Sequence, residues 1–170
     1  NVGAKVVVVE KVSAATWSNV DRSLVPTVET VLSTDGENAP AGARSIDELL
    51  DADAVDIVDV SNEATAVLIF TSGTSGLPRA AMLTHGNVLT NLAQRDATGI
   101  LNSDDVIWSV LPLFHIFGLN VVMTTGLGVG ATVMLVQRFD PHSAAESIRD
   151  RGATVVPGAP AMWAAFTHFD

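Results

Sequence analysis

Residues 68–79 have the sequence Leu-Ile-Phe-Thr-Ser-Gly-Thr-Ser-Gly-Leu-Pro-Arg, an apolar run followed by a polar loop that contains two glycines. Glycine allows the backbone to approach a phosphate group closely and to turn its N–H groups toward it. Serine and threonine hydroxyls add rotatable donors, and arginine adds charge in a planar fork. We therefore predict an anion-binding loop between a buried strand and a helix, formed by Thr71, Ser72, Gly73, Thr74, Ser75, Gly76, Pro78 and Arg79.

Other phosphate-binding patterns do not fit this chain. A P-loop that began at Gly73 would need its second glycine five residues later, where the chain has Pro78. The glycines at 126, 128 and 130 resemble a dinucleotide fingerprint, but they precede an apolar run instead of following one. On composition alone, a flexible polar turn explains residues 71–79 as well as a phosphate-binding loop does.

Apolar, β-branched runs recur along the chain and alternate with helix signals. The runs occupy residues 6–9, 55–60, 66–70, 106–111, 132–136 and 154–156. Continuous runs of this kind are typical of strands covered on both faces. Helices are predicted to begin after Ser45, Thr84 and Asp140, each of which is a favourable N-terminal cap. This alternation predicts an α/β fold with a layered, mostly parallel sheet and flanking helices.

The charge of the chain is acidic and unevenly distributed. Nineteen Asp and Glu residues stand against nine Lys and Arg residues, which argues against a nucleic-acid partner. The acids concentrate between Asp35 and Glu63, where Arg44 is the only base. Since residues 33–44 are also rich in turn-forming types, we predict that residues 33–63 form an acidic, loop-rich connecting segment on the surface.

Residues 106–137 contain no charged side chain, and this run is longer than the roughly 20 apolar residues that a membrane-spanning helix needs. Pro112, Asn120 and several glycines interrupt it, which a lipid-exposed helix would tolerate poorly. We predict no transmembrane segment, but a strand, a loop, a helix, a glycine turn and a second strand. The absence of cysteine excludes disulfides and fits a cytoplasmic location.

Residues 68–79 closely resemble the signature of the AMP-forming, acyl-adenylating superfamily, which includes acyl-CoA synthetases, aryl-CoA ligases, luciferases and peptide-synthetase adenylation domains. Three further segments resemble motifs of the same family, in the same order: residues 84–87, residues 111–118 (Leu-Pro-Leu-Phe-His-Ile-Phe-Gly) and residues 158–160. The chain departs from the family pattern at Arg79, where lysine is commoner, and at Ala80 and Ala81, where Gly-Val is usual.

The resemblance implies that residues 1–170 are part of the large N-terminal, AMP-binding domain of an acyl-adenylating enzyme, without its C-terminal domain. It implies ATP, Mg²⁺ and coenzyme A as cofactors, with the loop holding the β and γ phosphates and the Thr71 hydroxyl helping to place the metal. A lone histidine in an apolar context is usually a hydrogen-bonded core residue. The resemblance instead places His115 beside the substrate carboxylate, where we expect it to position the substrate rather than to transfer a proton.

The substrate expected from the resemblance is a carboxylic acid, for which we predict a fatty acid. Residues 111–118 resemble aryl-CoA ligases as closely as fatty acyl-CoA ligases, so an aromatic acid is an alternative. An adenylation domain that serves a carrier protein and a non-catalytic nucleotide-binding module are two others. Because the later family motifs are absent and an apolar helix pattern is cut at Asp170, we expect the 170 residues to be inactive alone and to belong to a longer protein.

Overall fold

The computed structural model describes residues 2–71 and 78–167. It divides the chain into two compact units, Asn1–Asp59 and Val60–Asp170.

The first unit contains a three-stranded parallel sheet. Its strands are β1 (Val6–Val9), β2 (Thr30–Ser33) and β3 (Arg44–Ser45), arranged in the order β1-β2-β3. Helix α1 (Lys11–Ser18) and a 3-10 turn at Arg22–Leu24 connect β1 to β2. A second 3-10 turn, Ile46–Leu49, begins at Ser45, whose side chain and that of Glu48 cap each other's backbone N–H groups. The cap predicted at Ser45 is thus confirmed.

The second unit begins with an antiparallel hairpin of β4 (Thr65–Thr71) and β5 (Arg79–Thr84). Helix α2 (His85–Asp96) follows β5 directly. Thr84 caps it as predicted, because its Oγ1 accepts the Asn87 N–H at 3.1 Å while Asn87 Oδ1 accepts the Thr84 N–H at 3.0 Å. The phosphate-loop segment therefore joins two strands of a hairpin, and the expectation that a helix follows it immediately is wrong.

The rest of the second unit is built around a parallel strand pair, β6 (Val106–Ser109) and β7 (Thr132–Leu135). A π-helix at Phe117–Thr124 and helix α3 (Thr125–Gly128) connect the two strands, as the uncharged run predicted. Helices α4 (Pro141–Asp150) and α5 (Pro160–Phe166) follow, and Asp140 caps α4 as expected. Ile107, Val122 and Ala131 form the buried core between strand and helix. Within residues 2–71 and 78–167, no helix is long and apolar enough to cross a membrane.

Two sequence expectations about strands are wrong. Residues 55–60, all within the described part of the chain, form no strand, and the side chains of Val55 and Ile57 are 89% and 98% exposed. A strand needs a hydrogen-bonded neighbour, and Asp56 and Asp59 interrupt the apolar pattern that would pack one. Strands covered on both faces were also expected, but Val6, Val8 and Phe70 are more than half exposed. Only in β6 are three successive residues, Ile107, Trp108 and Ser109, buried.

Candidate functional site

The described ends of the predicted phosphate loop lie opposite each other at the tip of the β4–β5 hairpin. Thr71 and Arg79 are paired in the strand register, and Thr71 Oγ1 donates to the Arg79 carbonyl oxygen at 3.4 Å. Thr71, Pro78 and Arg79 are all exposed. Within the described part of the chain, the Arg79 guanidinium forms no ion pair.

The remaining predicted loop residues, namely Ser72, Gly73, Thr74, Ser75 and Gly76, lie outside the described residues. Their proposed contacts with phosphate stay a prediction. The hairpin nevertheless fixes where the loop starts and ends, because its two flanking residues are partners in one antiparallel ladder.

The predicted magnesium role of Thr71 finds no supporting ligand cluster in the described residues. No group of three or more His, Cys, Asp or Glu side chains among them could hold a metal ion. Magnesium prefers near-octahedral oxygen coordination, commonly with one or two carboxylates and the phosphates of a substrate. A single threonine hydroxyl does not meet that requirement, so the described residues do not by themselves form a magnesium site.

A cavity of about 450 Å³ lies beside His115. Two segments that are distant in the sequence line it: Leu111, Pro112, Phe114, His115 and Phe117 from one, and Gly158, Ala159 and Pro160 from the other. These segments carry two of the motifs identified in the sequence, and the fold brings them together. The size falls within the range of small-molecule pockets, roughly 300–1,000 Å³. Apart from the imidazole of His115, the lining side chains are apolar, which suits the body of an apolar acid.

His115 is held by three hydrogen bonds at the start of the π-helix. Its backbone N–H donates to the Pro112 carbonyl at 3.1 Å, and its carbonyl accepts the Leu119 N–H at 3.0 Å. Its ring Nδ1 accepts the Phe117 N–H at 3.2 Å. In a neutral imidazole whose Nδ1 is an acceptor, Nε2 carries the proton and is a donor. The ring can therefore present an N–H group to an anionic oxygen.

His115 does not lie in the core, although a lone histidine in an apolar context usually does. His115 is exposed, and the neighbouring Phe114 is 85% exposed. Apart from His115, residues 111–118 are all apolar, yet they do not bury the ring, because residues 113–115 form a turn and bend before the π-helix. A histidine at an accessible cavity wall can meet a ligand, which a core histidine cannot.

Gly118 allows the π-helix to start close to the turn that precedes it. A β-carbon at this position would lie 2.8 Å from the Leu111 carbonyl oxygen and 2.9 Å from the Pro112 carbonyl carbon, and it would also meet the Pro112 carbonyl oxygen. Since these are backbone atoms, they cannot move aside as a flexible side chain would. The glycine at the end of the 111–118 motif thus sets the position of the cavity wall that carries His115.

Gly158 makes a similar close approach on the other side of the cavity. A β-carbon there would lie 3.0 Å from Trp163 Nε1 on helix α5. Trp163 in turn packs against Phe166, with ring centroids 5.9 Å apart, and Phe166 packs edge-on against Phe139 at 5.6 Å. The second cavity segment therefore rests on an aromatic cluster that fixes its position.

Sequence reasoning assigned His115 to the acid site and offered the apolar stretch after it as the lining of an alkyl pocket or as plain core. It did not assign the other residues of the cavity wall. Phe114, Phe117 and Pro160 were quoted within motifs or a helix pattern, but nothing in a single sequence shows that residues 111–118 and 158–160 meet. The sequence feature that could have indicated the cavity wall is a pair of separated motifs, residues 111–118 and 158–160, each with a glycine at a closely packed position.

These features define the chain as an α/β domain with a hydroxyl- and glycine-containing hairpin loop and an apolar cavity. The family described as AMP-binding enzyme matches residues 1–170, and the chain belongs to that family. The resemblance noted in the sequence is confirmed.

Plant CoA ligases are among the similar sequences. A 4-coumarate:CoA ligase 1 of Petunia hybrida is 41% identical over 130 residues, and a 4-coumarate–CoA ligase 2 of Solanum tuberosum is 39% identical over 130 residues. Each alignment covers 73% of this chain and 24% of the relative. The chain thus spans about a quarter of the length of these relatives.

Solved structures share the fold. A putative long-chain-fatty-acid CoA ligase from Rhodopseudomonas palustris superposes with a TM-score of 0.86 at 22% identity, covering 98% of this chain and 41% of that one. ATP-bound MatB from the same organism gives 0.78 at 26% identity, covering 96% of this chain and 31% of that one. These similarities confirm the α/β fold class, although the β4–β5 pair is antiparallel.

Proposed function

We propose that this chain carries the phosphate-binding hairpin and part of the acid pocket of an ATP-dependent acid–CoA ligase. Membership of the AMP-binding enzyme family and the 4-coumarate–CoA ligase relatives support the reaction class. The single structural observation that carries the proposal is the cavity at which residues 111–118 and 158–160 meet, with His115 on its wall.

The proposed reaction has two steps. In the first, an oxygen of the substrate carboxylate attacks the α-phosphorus of ATP, the bond to the β-phosphate oxygen breaks, and pyrophosphate leaves from an acyl-adenylate. In the second, the thiol of coenzyme A attacks the acyl carbon, AMP leaves with the bonding electron pair, and the thiol proton goes to solvent or a base. Negative charge builds up on the leaving pyrophosphate, so donors and cations fixed in advance around it accelerate the first step.

Arg79 and the loop hydroxyls are the proposed donors for the pyrophosphate. Arg79 is exposed, and no carboxylate among the described residues pairs with it. Its place as the first residue of β5 restrains its backbone, which reduces the entropy lost when it binds phosphate. Thr71 and residues 72–76 are proposed to add hydroxyl and backbone donors, and magnesium, when bound, would neutralise phosphate charge.

His115 is proposed to orient the substrate carboxylate. The Phe117 N–H occupies Nδ1, so Nε2–H is the ring donor proposed to meet the carboxylate. A neutral donor can hold a carboxylate oxygen without the tight ion pair that a cation would form, so the oxygen remains nucleophilic. This role needs the correct ring orientation more than a particular basicity, which agrees with positioning rather than proton transfer.

The substrate class favoured by the relatives is an aromatic acid, since several sequences between 34% and 41% identical are 4-coumarate–CoA ligases. A fatty acid, as predicted from the sequence, is the second candidate, and the apolar lining of the cavity supports it as well as an aromatic ring. Coenzyme A as the acceptor, in place of a carrier protein, is supported by the same ligases.

The test is ATP–pyrophosphate exchange by the complete protein that contains these residues. We expect exchange that depends on added acid, with 4-coumarate more effective than hexadecanoate, and formation of a thioester when coenzyme A is added. Exchange only with hexadecanoate would replace the aromatic proposal with the fatty-acid one. Binding of ATP without exchange for any carboxylic acid would instead identify a non-catalytic nucleotide-binding module.

A further inference from the structure

An asparagine pair connects the helix behind the hairpin to the π-helix beside the cavity. Asn120 Nδ2 donates to Asn91 Oδ1 at 2.8 Å. The same oxygen accepts the Nε–H of Arg95 at 2.9 Å. All three side chains are half-buried, so water competes less for these bonds than at an exposed site. We call this cluster of Asn91, Arg95 and Asn120 the asparagine link.

On one side, the asparagine link holds the turn of the π-helix that follows His115. The Asn120 carbonyl accepts both the Thr125 N–H and the Thr125 hydroxyl, the latter at 2.9 Å. Near the start of the same helix, Leu119 N–H donates to the His115 carbonyl at 3.0 Å. Because Leu119 is bonded to Asn120 in the chain, a shift of Asn120 would also shift His115 through this hydrogen bond. Wide π turns of this kind occur frequently at functional sites.

On the other side, the asparagine link is anchored to the hairpin. Asn91 lies in α2, which continues directly from β5 and packs against both β4 and β5. Leu92, the next residue, makes a second contact between α2 and the segment after the π-helix, because a β-carbon on Gly128 of α3 would lie 2.6 Å from Leu92 Cδ1. Helix α2 is thus attached to the hairpin by chain continuity and by packing, and the far end of the hairpin carries Thr71 and Arg79.

We propose that Asn91 and Asn120 are positioning residues for acid activation, an inference that rests on the proposed function. The link fixes the segment that carries His115 relative to the hairpin that carries the phosphate-loop ends. Attack on the α-phosphorus requires the carboxylate and the triphosphate, each bound by a different segment, to meet in line. A misplacement on the order of 1 Å is enough to lower the rate about a hundredfold.

The direction of the hydrogen bonds distinguishes the two asparagines. Asn91 only accepts within the link, so Asn91→Asp keeps an acceptor for both Asn120 Nδ2 and Arg95 Nε. Asn120 only donates to Asn91, so Asn120→Asp sets a carboxylate against the Asn91 oxygen, and the bond is lost. Asn91→Leu retains similar volume and removes both bonds. If the asparagine link contributes only packing volume, Asn91→Leu and Asn91→Asp should have equal kcat values.

The experiment measures kcat and both KM values for ATP–pyrophosphate exchange by the complete protein, per folded molecule, in these variants. We expect Asn91→Leu and Asn120→Asp to lower kcat by about tenfold to a hundredfold, with the KM for ATP and for the acid within about twofold of wild type. Asn91→Asp should retain at least a third of wild-type kcat. Gln94→Ala, on the same helix and exposed, is the matched control and should leave all three constants unchanged.

Three outcomes overturn the inference while leaving the proposed function standing. The first is a wild-type kcat per folded molecule in Asn91→Leu. The second is equal kcat values for Asn91→Asp and Asn91→Leu. The third is a loss of total activity that a smaller amount of folded protein explains in full. A complete wild-type protein that exchanges no pyrophosphate with any carboxylic acid overturns the proposed function itself, so the two failures are distinguishable.

Discussion

Gly118→Ala tests whether the cavity wall depends on the close approach of the π-helix to the preceding turn. The added carbon would lie 2.8 Å from the Leu111 carbonyl oxygen, where ordinary contacts begin at 3.4 Å. The Pro112 carbonyl oxygen would lie closer still, so the backbone must shift by more than about half an ångström, and overpacking of this kind costs about 1–3 kcal/mol. Alanine regains about 1 kcal/mol in a helix relative to glycine. We expect a net loss of up to about 2 kcal/mol in the free energy of unfolding.

Urea unfolding of the complete protein measures this loss, and the KM for the acid reports the shift of the wall that carries His115. Gly36→Ala is the control, because a β-carbon there meets nothing within 4 Å and the backbone is not left-handed. That substitution should be neutral or stabilising by up to about 1 kcal/mol. If Gly118→Ala were as stable as the control and its KM for the acid unchanged, the close approach would not be what sets the wall.

Four further substitutions or truncations test other parts of the structure. Arg79→Ala should lower the kcat of pyrophosphate exchange more than it raises the KM for the acid, while Arg79→Lys retains much of the activity. A wild-type exchange rate in the alanine variant would show that the Arg79 cation has only a structural role. His115→Phe should retain the melting temperature and slow exchange by up to about a hundredfold, whereas a lower melting temperature with normal turnover would assign the ring to packing. The pKa of Asp105 is lowered, chiefly by the hydrogen bond from Thr154 and then by that from the Asn102 N–H. The contribution of Asp105 to stability should be present above the ordinary pKa of 3.8 and be lost as pH falls through the lowered value. Asp105→Asn should therefore make the midpoint urea concentration depend less on pH between about pH 5 and pH 2. Asp104→Asn is the control. The 170 residues expressed alone should melt with a weak or non-cooperative transition, because large apolar side chains such as Val12, Ile57 and Phe114 are more than three-quarters exposed; a sharp transition would contradict this.

Short sequence patterns predicted the helix caps and strand β1, whose conformations depend on residues close together in the chain. The caps at Ser45, Thr84 and Asp140 form where the sequence placed them, because a side chain and a backbone N–H two or three residues apart decide them. The strand at Val6–Val9 has the predicted bounds, since β-branched residues favour extended backbone. These features need no knowledge of the rest of the chain.

Features that depend on distant partners were not predictable in the same way. Strand β5 was missed because Ala80, Ala81 and Met82 favour helix intrinsically, and its pairing with β4 decides its conformation. The exposure of His115 was not predictable from its apolar neighbours in the sequence, because burial depends on which distant segments pack against the ring. The meeting of residues 111–118 with residues 158–160 depends on the packing of α5, which no local pattern encodes. The candidate site was therefore predicted in its residue types but not in its geometry.

The placement of Arg79 in a strand has a consequence for how this domain tolerates insertions. Side chains alternate faces along a strand, so Arg79 keeps its face as long as its pairing with Thr71 is kept. Lengthening the connection at residues 72–78 leaves that pairing intact and adds only a small closure entropy, about 0.6 kcal/mol for each doubling in length. One residue inserted between Ala80 and Thr84 would turn Arg79 to the opposite face of the hairpin or break the ladder. We expect length variation among related chains to concentrate in the loop and to be absent from β5.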